Sequence, residues 1–310
     1  MNVTRRDFIK MCGAGAALLG VGAKFGNSSL PAPSHAVPIT HGGNAVLIDT
    51  TRCIGCRSCQ AACKKINGLP PDEGIPTSVL SATTLSVVQF RNVSALPDKP
   101  FVKPVKWACM HCENPACVGA CPVGALTKRD DGTVAYDENI CIGCRYCMTA
   151  CPFGIPKYNW DSANPKINKC AQSCTDVKGL GQPACVQACP AQALQYGSRD
   201  QLLTIAKQRI SADPSKYVNH IYGEHEVGGT SRLYLSSVSF EQFGFRTDLP
   251  NEPLPQYTTN VMEKVPYVLG TILVALSGIS WWTHRGERAE GPIPVQVGSS
   301  RHDPRSPMGK

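Results

Sequence analysis

The chain has 310 residues, with 31 lysines and arginines against 23 aspartates and glutamates, a formal charge of +8 and 17 cysteines. The basic excess does not mark a nucleic-acid binder: Arg5, Arg6, Lys10 and Lys24 crowd the N-terminus, five more basic residues follow Thr283, and the rest is spread as a solvated face. No phosphate-cradling glycine loop and no nucleophile–base motif is present, which leaves the cysteines to carry the chemistry.

In chain order, Thr4-Arg5-Arg6-Asp7-Phe8-Ile9-Lys10, an apolar glycine-rich stretch from Met11 to Ala23 and small residues up to Ala36 predict a twin-arginine export signal over residues 1–36. Arg5 and Arg6 are its recognition pair, and Cys12 lies within it, matching no lipid-attachment pattern. Ala45–Asp49 reads as a strand leading into the first cysteine group, Cys53, Cys56, Cys59 and Cys63, spaced C-x2-C-x2-C-x3-C. Residues 64–106, rich in Ser, Thr, Pro and Val, read as an inserted loop or small hairpin available to a partner. The second group is Cys109, Cys112, Cys117 and Cys121; after a short strand at Thr133–Asp137 comes the third, Cys141, Cys144, Cys147 and Cys151, with the spacing of the first. The fourth is Cys170, Cys174, Cys185 and Cys189, and a proline follows the last cysteine of three groups (Pro122, Pro152, Pro190).

This is the ligand run of bacterial ferredoxins, in which three closely spaced thiolates hold three corners of a [4Fe–4S] cube. Zinc sites use two C-x2-C pairs separated by a longer loop, and thiols packed in threes are poorly placed for disulfides. Four groups therefore predict four [4Fe–4S] clusters, a wire for electrons. The fourth cysteine of a run crosses to a neighbouring cluster in two-cluster ferredoxins, but spacing alone leaves open which groups pair. Gly55 and Gly143 let backbone N–H groups turn toward the sulfides, while Ile54 and Ile142 keep water away. His111, between two ligands, reads as a residue supporting or flanking the ligands, or at the surface.

Asp200–Ile210 has the apolar spacing of a core-facing helix. Val265–Thr283 is a run of 19 uncharged residues, long enough to cross a bilayer, with Pro266 in its first turn, Tyr267, Trp281 and Trp282 as interfacial anchors, and His284, Arg285 and Arg288 marking the cytoplasmic side. The expected architecture is α+β: a signal at 1–36, two ferredoxin-like repeats over 37–199 with the insertion at 64–106, an extension at 200–256 packed on them, a transmembrane helix at 265–283 and a cytoplasmic tail at 284–310. Because the loops look irregular, most cohesion is expected from iron–thiolate bonds. No group lacks a cysteine, so no iron is left open, and the chain reads as an electron-transfer subunit that is not catalytic alone.

The export signal, the four groups, the stretch from His220 to Ser231 and the C-terminal apolar run together resemble the four-cluster iron–sulfur subunits of periplasmic-facing respiratory complexes. Those of the HybA type in nickel–iron hydrogenase and their equivalent in the high-molecular-weight cytochrome complex of sulfate reducers are most similar; formate dehydrogenase beta subunits, the alternative, share clusters and anchor. The resemblance implies a periplasmic subunit with topology N-out, C-in, relaying electrons between hydrogenase small and large subunits, or a multihaem cytochrome c, and an NrfD/HybB-like membrane subunit that works on quinone. It also implies pairing of outer with outer and inner with inner groups: Cys53, Cys56, Cys59 with Cys189; Cys170, Cys174, Cys185 with Cys63; Cys109, Cys112, Cys117 with Cys151; Cys141, Cys144, Cys147 with Cys121. The spacing Cys170-x3-Cys174 departs from the C-x2-C usual in such subunits, and a bulged loop is expected there.

Overall fold

Strand β1 (Asn44–Asp49) is buried along its length, Ala45, Val46 and Leu47 completely. A strand apolar on both faces belongs in the middle of a covered sheet, and β1 is the centre of a three-stranded one. It pairs antiparallel with β8 (Leu194–Ser198), Ile48 opposite Leu194, and parallel with β9 (Arg232–Leu235), Val46 opposite Arg232. Ala45 and Leu47 pack with Leu202 and Ala206 of helix α5 (Arg199–Ala212), whose first turn is capped by Ser198. Val46 and Ile48 face the other way, into a core with Tyr222, Tyr234, Phe240, Phe243 and Phe245. The structure, a computed structural model, describes residues 43–94, 100–160, 166–171 and 181–284; the expected export signal with Arg5 and Arg6, Cys12, Cys174 and the tail from 285 lie outside them.

Each cysteine group begins a short helix. Cys59 and Cys63 lie on α1 (Ser58–Ile66), Cys117 on α2 (Ala116–Gly119), Cys147 on α3 (Tyr146–Ala150) and Cys185 on α4 (Ala184–Gln187). Groups one and three share one local conformation: Gly55 and Gly143 have φ of 72° and 68°, and Arg57 and Arg145, the residues entering α1 and α3, have φ of 60° and 67°. Glycine adopts that region freely and arginine only at a cost. Groups two and four share another, with Pro115 and Pro183 preceding α2 and α4.

Strands set which groups meet. β1 ends four residues before Cys53, β8 begins five residues after Cys189, and the two are paired, so groups one and four lie side by side and α1 packs on α4. Likewise β4 (Leu126–Lys128) follows group two, β5 (Val134–Tyr136) precedes group three, and their pairing sets α2 against α3. A two-stranded ladder of β6 (Lys157–Tyr158) and β7 (Ile167–Asn168) completes this inner part. The segment after Cys63 is bounded by the hairpin of β2 (Ser86–Ser94) and β3 (Pro100–Ala108).

The segment after residue 200 supplies β9 to the central sheet, and its Tyr217, Tyr222, Tyr234, Phe240 and Phe243 are each 8% exposed or less. One expectation needs correction. The body is not poor in buried apolar surface: Tyr234, Phe240 and Phe245 lie tilted or edge-on around Tyr222, with ring centroids within 6.4 Å of it, and share one core cluster with Phe243. A separate unit starts at Tyr257. It holds most of α6 (Leu254–Met262) and all of α7 (Val265–Thr283); the helical stretch Leu254–Thr283 is long and apolar enough to cross a membrane, and none of it is buried in protein.

Candidate metal centres

None of the described cysteines is in a disulfide, and the fold gathers them around chambers. Cys53, Cys56, Cys59 and Cys189 line a first chamber, walled by Ile48, Val88 and Leu194. Cys63, Cys170 and Cys185 line a second; Cys174 is outside the described residues. Cys121, Cys141, Cys144 and Cys147 line another, with Leu126, Ile167, Tyr136 and Tyr158. The remaining four are also neighbours: burial first, and then the thiolates of Cys151, Cys117 and Cys109, hold Cys112 well above the ordinary thiol range. Burial followed by Cys109, offset in part by Lys169, does the same to Cys117. These four are taken below as the third site and the Cys121 chamber as the fourth.

The donor set fits a polynuclear group. Four thiols converge on one site with no disulfide between them, as a cube requires, and among the described residues no three His, Cys, Asp or Glu side chains converge to hold a single ion. Protein dipoles already point at the sulfurs. Arg232 Nη2 donates to Cys170 Sγ at 3.2 Å, the Ala125 N–H to Cys121 Sγ at 3.2 Å and Asn67 Nδ2 to Cys63 Sγ at 3.7 Å, while Tyr158 Oη lies 3.4 Å from Cys147 Sγ. Such contacts stabilise thiolate character and set cluster potential.

The charges around the sites are unequal. Lys106, 2% exposed, lines both the first and second chambers and donates to Ser86 Oγ. Burial pushes its pKa down, but the thiolates of Cys59 and Cys185 outweigh that and raise it above the usual lysine value. Arg232, fully buried, joins the second site to the third, its Nε donating to the carbonyl of Cys109 at 2.7 Å. At the third site Lys128 Nζ donates to the carbonyl of Cys112 at 3.0 Å and is paired with Glu113 at 3.5 Å. The fourth chamber has no charged residue in its lining.

Lys106, Lys128 and Arg232 were invisible to the motif reading, since a lysine or arginine in a short strand is ordinarily solvated. Buried-strand alternation was the available signal: Arg232 and Lys106 sit among Leu233, Tyr234 and Val105, Trp107. His111 is 1% exposed, far from the surface. Its Nδ1 accepts from the Val134 N–H at 3.0 Å, and burial, with the nearby Lys169, Arg232 and Lys128, pushes its pKa well below the usual histidine value, so it is neutral. Exposed thiols occur only at Cys56 and Cys144 among the described residues, flanked by Ile54 (67% exposed) and Ile142 (58%).

Comparison with known proteins agrees with this chemistry. Two family models, each described as a 4Fe-4S dicluster domain, match residues 52–126 and 101–199. A protein of Nitratidesulfovibrio vulgaris is 39% identical over 293 residues, covering 92% of this chain and 78% of its own length. The hydrogenase-2 operon protein HybA of Escherichia coli O157:H7 is 35% identical over 289 residues, covering 80% of this chain and 84% of that protein. The iron–sulfur subunit of the nitrate-inducible formate dehydrogenase of E. coli K12 is 36% identical over 201 residues, 62% of this chain and 67% of its own.

Proposed function

The chain belongs to the HybA-type family of ferredoxin-like iron–sulfur subunits, and from that premise we propose that it relays electrons through four [4Fe–4S] clusters between a periplasmic redox partner and a quinone-linked membrane subunit. The first cluster is held by Cys53, Cys56, Cys59 and Cys189, the second by Cys63, Cys170, Cys174 and Cys185. The third takes Cys109, Cys112, Cys117 and Cys151, the fourth Cys121, Cys141, Cys144 and Cys147. The two pairs are ferredoxin-like repeats in an α+β body. The observation that carries the reading is the sequence of thiol-lined sites. Lys106 lines the first and second, Arg232 touches the second and third, and an exposed cysteine stands at each end, Cys56 at one and Cys144 at the other.

When bound, the clusters supply one-electron chemistry; the chain holds the thiolates, keeps water from the inner sites and fixes the charges between them. Exposed Ile54 beside Cys56, and exposed Ile142 beside Cys144, suit apolar docking of redox partners at the two ends. We read residues 1–36 as the twin-arginine signal and 265–283 as the anchor, with the body outside the cytoplasm and the Arg285/Arg288 tail inside. The partner is a nickel–iron hydrogenase or a multihaem cytochrome c. A formate dehydrogenase is the weaker reading, because the relatives so named match 62% of this chain where HybA matches 80%.

Anaerobic affinity purification from detergent-solubilised membranes tests this. Hydrogenase subunits or a multihaem cytochrome, recovered with a multi-helix membrane protein, are the expected companions. Recovery of the chain alone from the soluble fraction contradicts both anchor and relay.

A further inference from the structure

Three cations are buried around the first three sites without a carboxylate among the described residues: Lys106, Arg232 and Lys169 are 2%, 0% and 6% exposed. Every ion pair among the described residues uses other groups: Lys128 and Arg199 meet Glu113, Arg209 meets Asp49, Lys64 meets Asp72, and the rest lie toward the surface. A buried guanidinium without a counter-charge costs several kcal/mol, so the fold must supply negative charge of another kind. Around Arg232, among the described residues, sulfur does so: Nη2 donates to Cys170 Sγ at 3.2 Å, and Cys185 and Cys63 line the same chamber. Its Nη1 has no hydrogen-bond partner among the described residues. Lys169, also buried, spends its ammonium on the carbonyls of Val134 and Cys170 instead.

We infer that Arg232 gives the cluster at Cys63, Cys170 and Cys185 the highest reduction potential of the four, making it the resting place of an electron midway along the wire. This rests on the four-cluster reading above. The physical ground is that a cube with four thiolates is negative and becomes more so when reduced. A fixed cation in a water-poor site therefore favours the reduced form, as does a hydrogen bond to a ligand sulfur. The second site has both, and Lys106 adds a further charge across the same chamber. The first site shares Lys106 and adds Arg57, whose guanidinium donates to the Pro76 carbonyl and Ser78 Oγ. The third meets Arg232 through a backbone carbonyl, the charge of its Lys128 is met by Glu113, and Lys169 near it is held by the carbonyls of Val134 and Cys170. The fourth has no charged residue in its lining. Each transfer moves one electron, oxidising the donor site and reducing the acceptor, with no bond made or broken.

The test is an anaerobic redox titration followed by electron paramagnetic resonance on the full chain, solubilised in detergent and separated from its iron-bearing partners, as wild type, Arg232→Gln, Arg232→Lys and Cys170→Ser. Arg232→Gln should lower the highest-potential signal so that its reduced fraction at the wild-type midpoint falls at least tenfold relative to oxidised, a shift of 59 mV or more for one electron. Arg232→Lys, which keeps the charge, should stay within that tenfold. Cys170→Ser should alter or abolish that same signal and leave the lowest-potential one. An unmoved potential in Arg232→Gln, an equal fall in Arg232→Lys, or an unaltered highest-potential signal in Cys170→Ser overturns the inference. If Arg232→Gln fails to assemble, the other two variants decide alone. Iron content separates the two readings: about sixteen iron atoms with unmoved potentials contradicts the role of Arg232 only. A wild-type chain without iron for the second site removes the four-cluster reading and this inference together.

Discussion

The outer and inner halves of the cysteine body use the same local devices on different foundations. Both put a positive-φ glycine and a left-handed arginine into one run and a proline-led short helix into the other. Behind the outer sites stands a three-stranded sheet covered by α5 on one face and by Tyr222, Tyr234, Phe240 and Phe243 on the other. Behind the inner sites stand two-stranded ladders of two or three residues and a small cluster around Leu126, Val134, Tyr158 and Ile167. Isolated two-stranded ladders are marginal in water. The difference teaches that cysteine spacing specifies how a thiolate loop is shaped, whereas the residues packed behind it decide whether that shape survives without iron.

Iron removal should break the comparison most visibly. Anaerobic chelation is expected to strip hydrogen-exchange protection from β4, β5, β6 and β7 while β1, β8 and β9 keep theirs; simultaneous loss in both halves would show that the outer core also depends on its clusters. Phe243→Ala, at a fully buried ring of the outer core, should cost about 3–5 kcal/mol in denaturant unfolding of the iron-free protein, with little change in the ladders of the inner half. Gly55→Ala should destabilise by more than the backbone cost of a positive φ, about 1–2 kcal/mol, because a Cβ there would also lie 2.7 Å from the Phe90 ring; a loss confined to that backbone cost in denaturant unfolding would contradict this. Tyr158→Phe, which removes the hydroxyl 3.4 Å from Cys147 Sγ, should lower the potential of the fourth cluster by less than a tenfold change in its reduced fraction, in keeping with a hydrogen bond worth about 0.5–1.5 kcal/mol. A redox titration of that signal checks it.

Much of this organisation was legible before any coordinates. The cysteine groups are written in local spacing, and so are the β1 run, the α5 periodicity and the apolar helix at Val265–Thr283, because each depends on residues close in sequence. What was not legible is long-range. Nothing near Arg232 in the sequence says that its strand lies parallel beside β1, nearly two hundred residues earlier, or that its guanidinium reaches Cys170. The aromatic core was missed for the same reason: Tyr222, Tyr234, Phe240, Phe243 and Phe245 are scattered without helical or strand period, and the sheet brings them together. Spacing left the pairing of the groups open because the strands that bring groups side by side lie outside the motifs.

The central claim is that sixteen thiolates hold four cubes in one chain. Iron and acid-labile sulfide analysis of the anaerobically purified full-length protein, with Mössbauer spectroscopy to type the iron, tests it most directly. The account predicts about sixteen iron and sixteen sulfide per chain, all in [4Fe–4S] form. Zinc in place of iron, or iron for only two cubes in a fully folded chain, would contradict it.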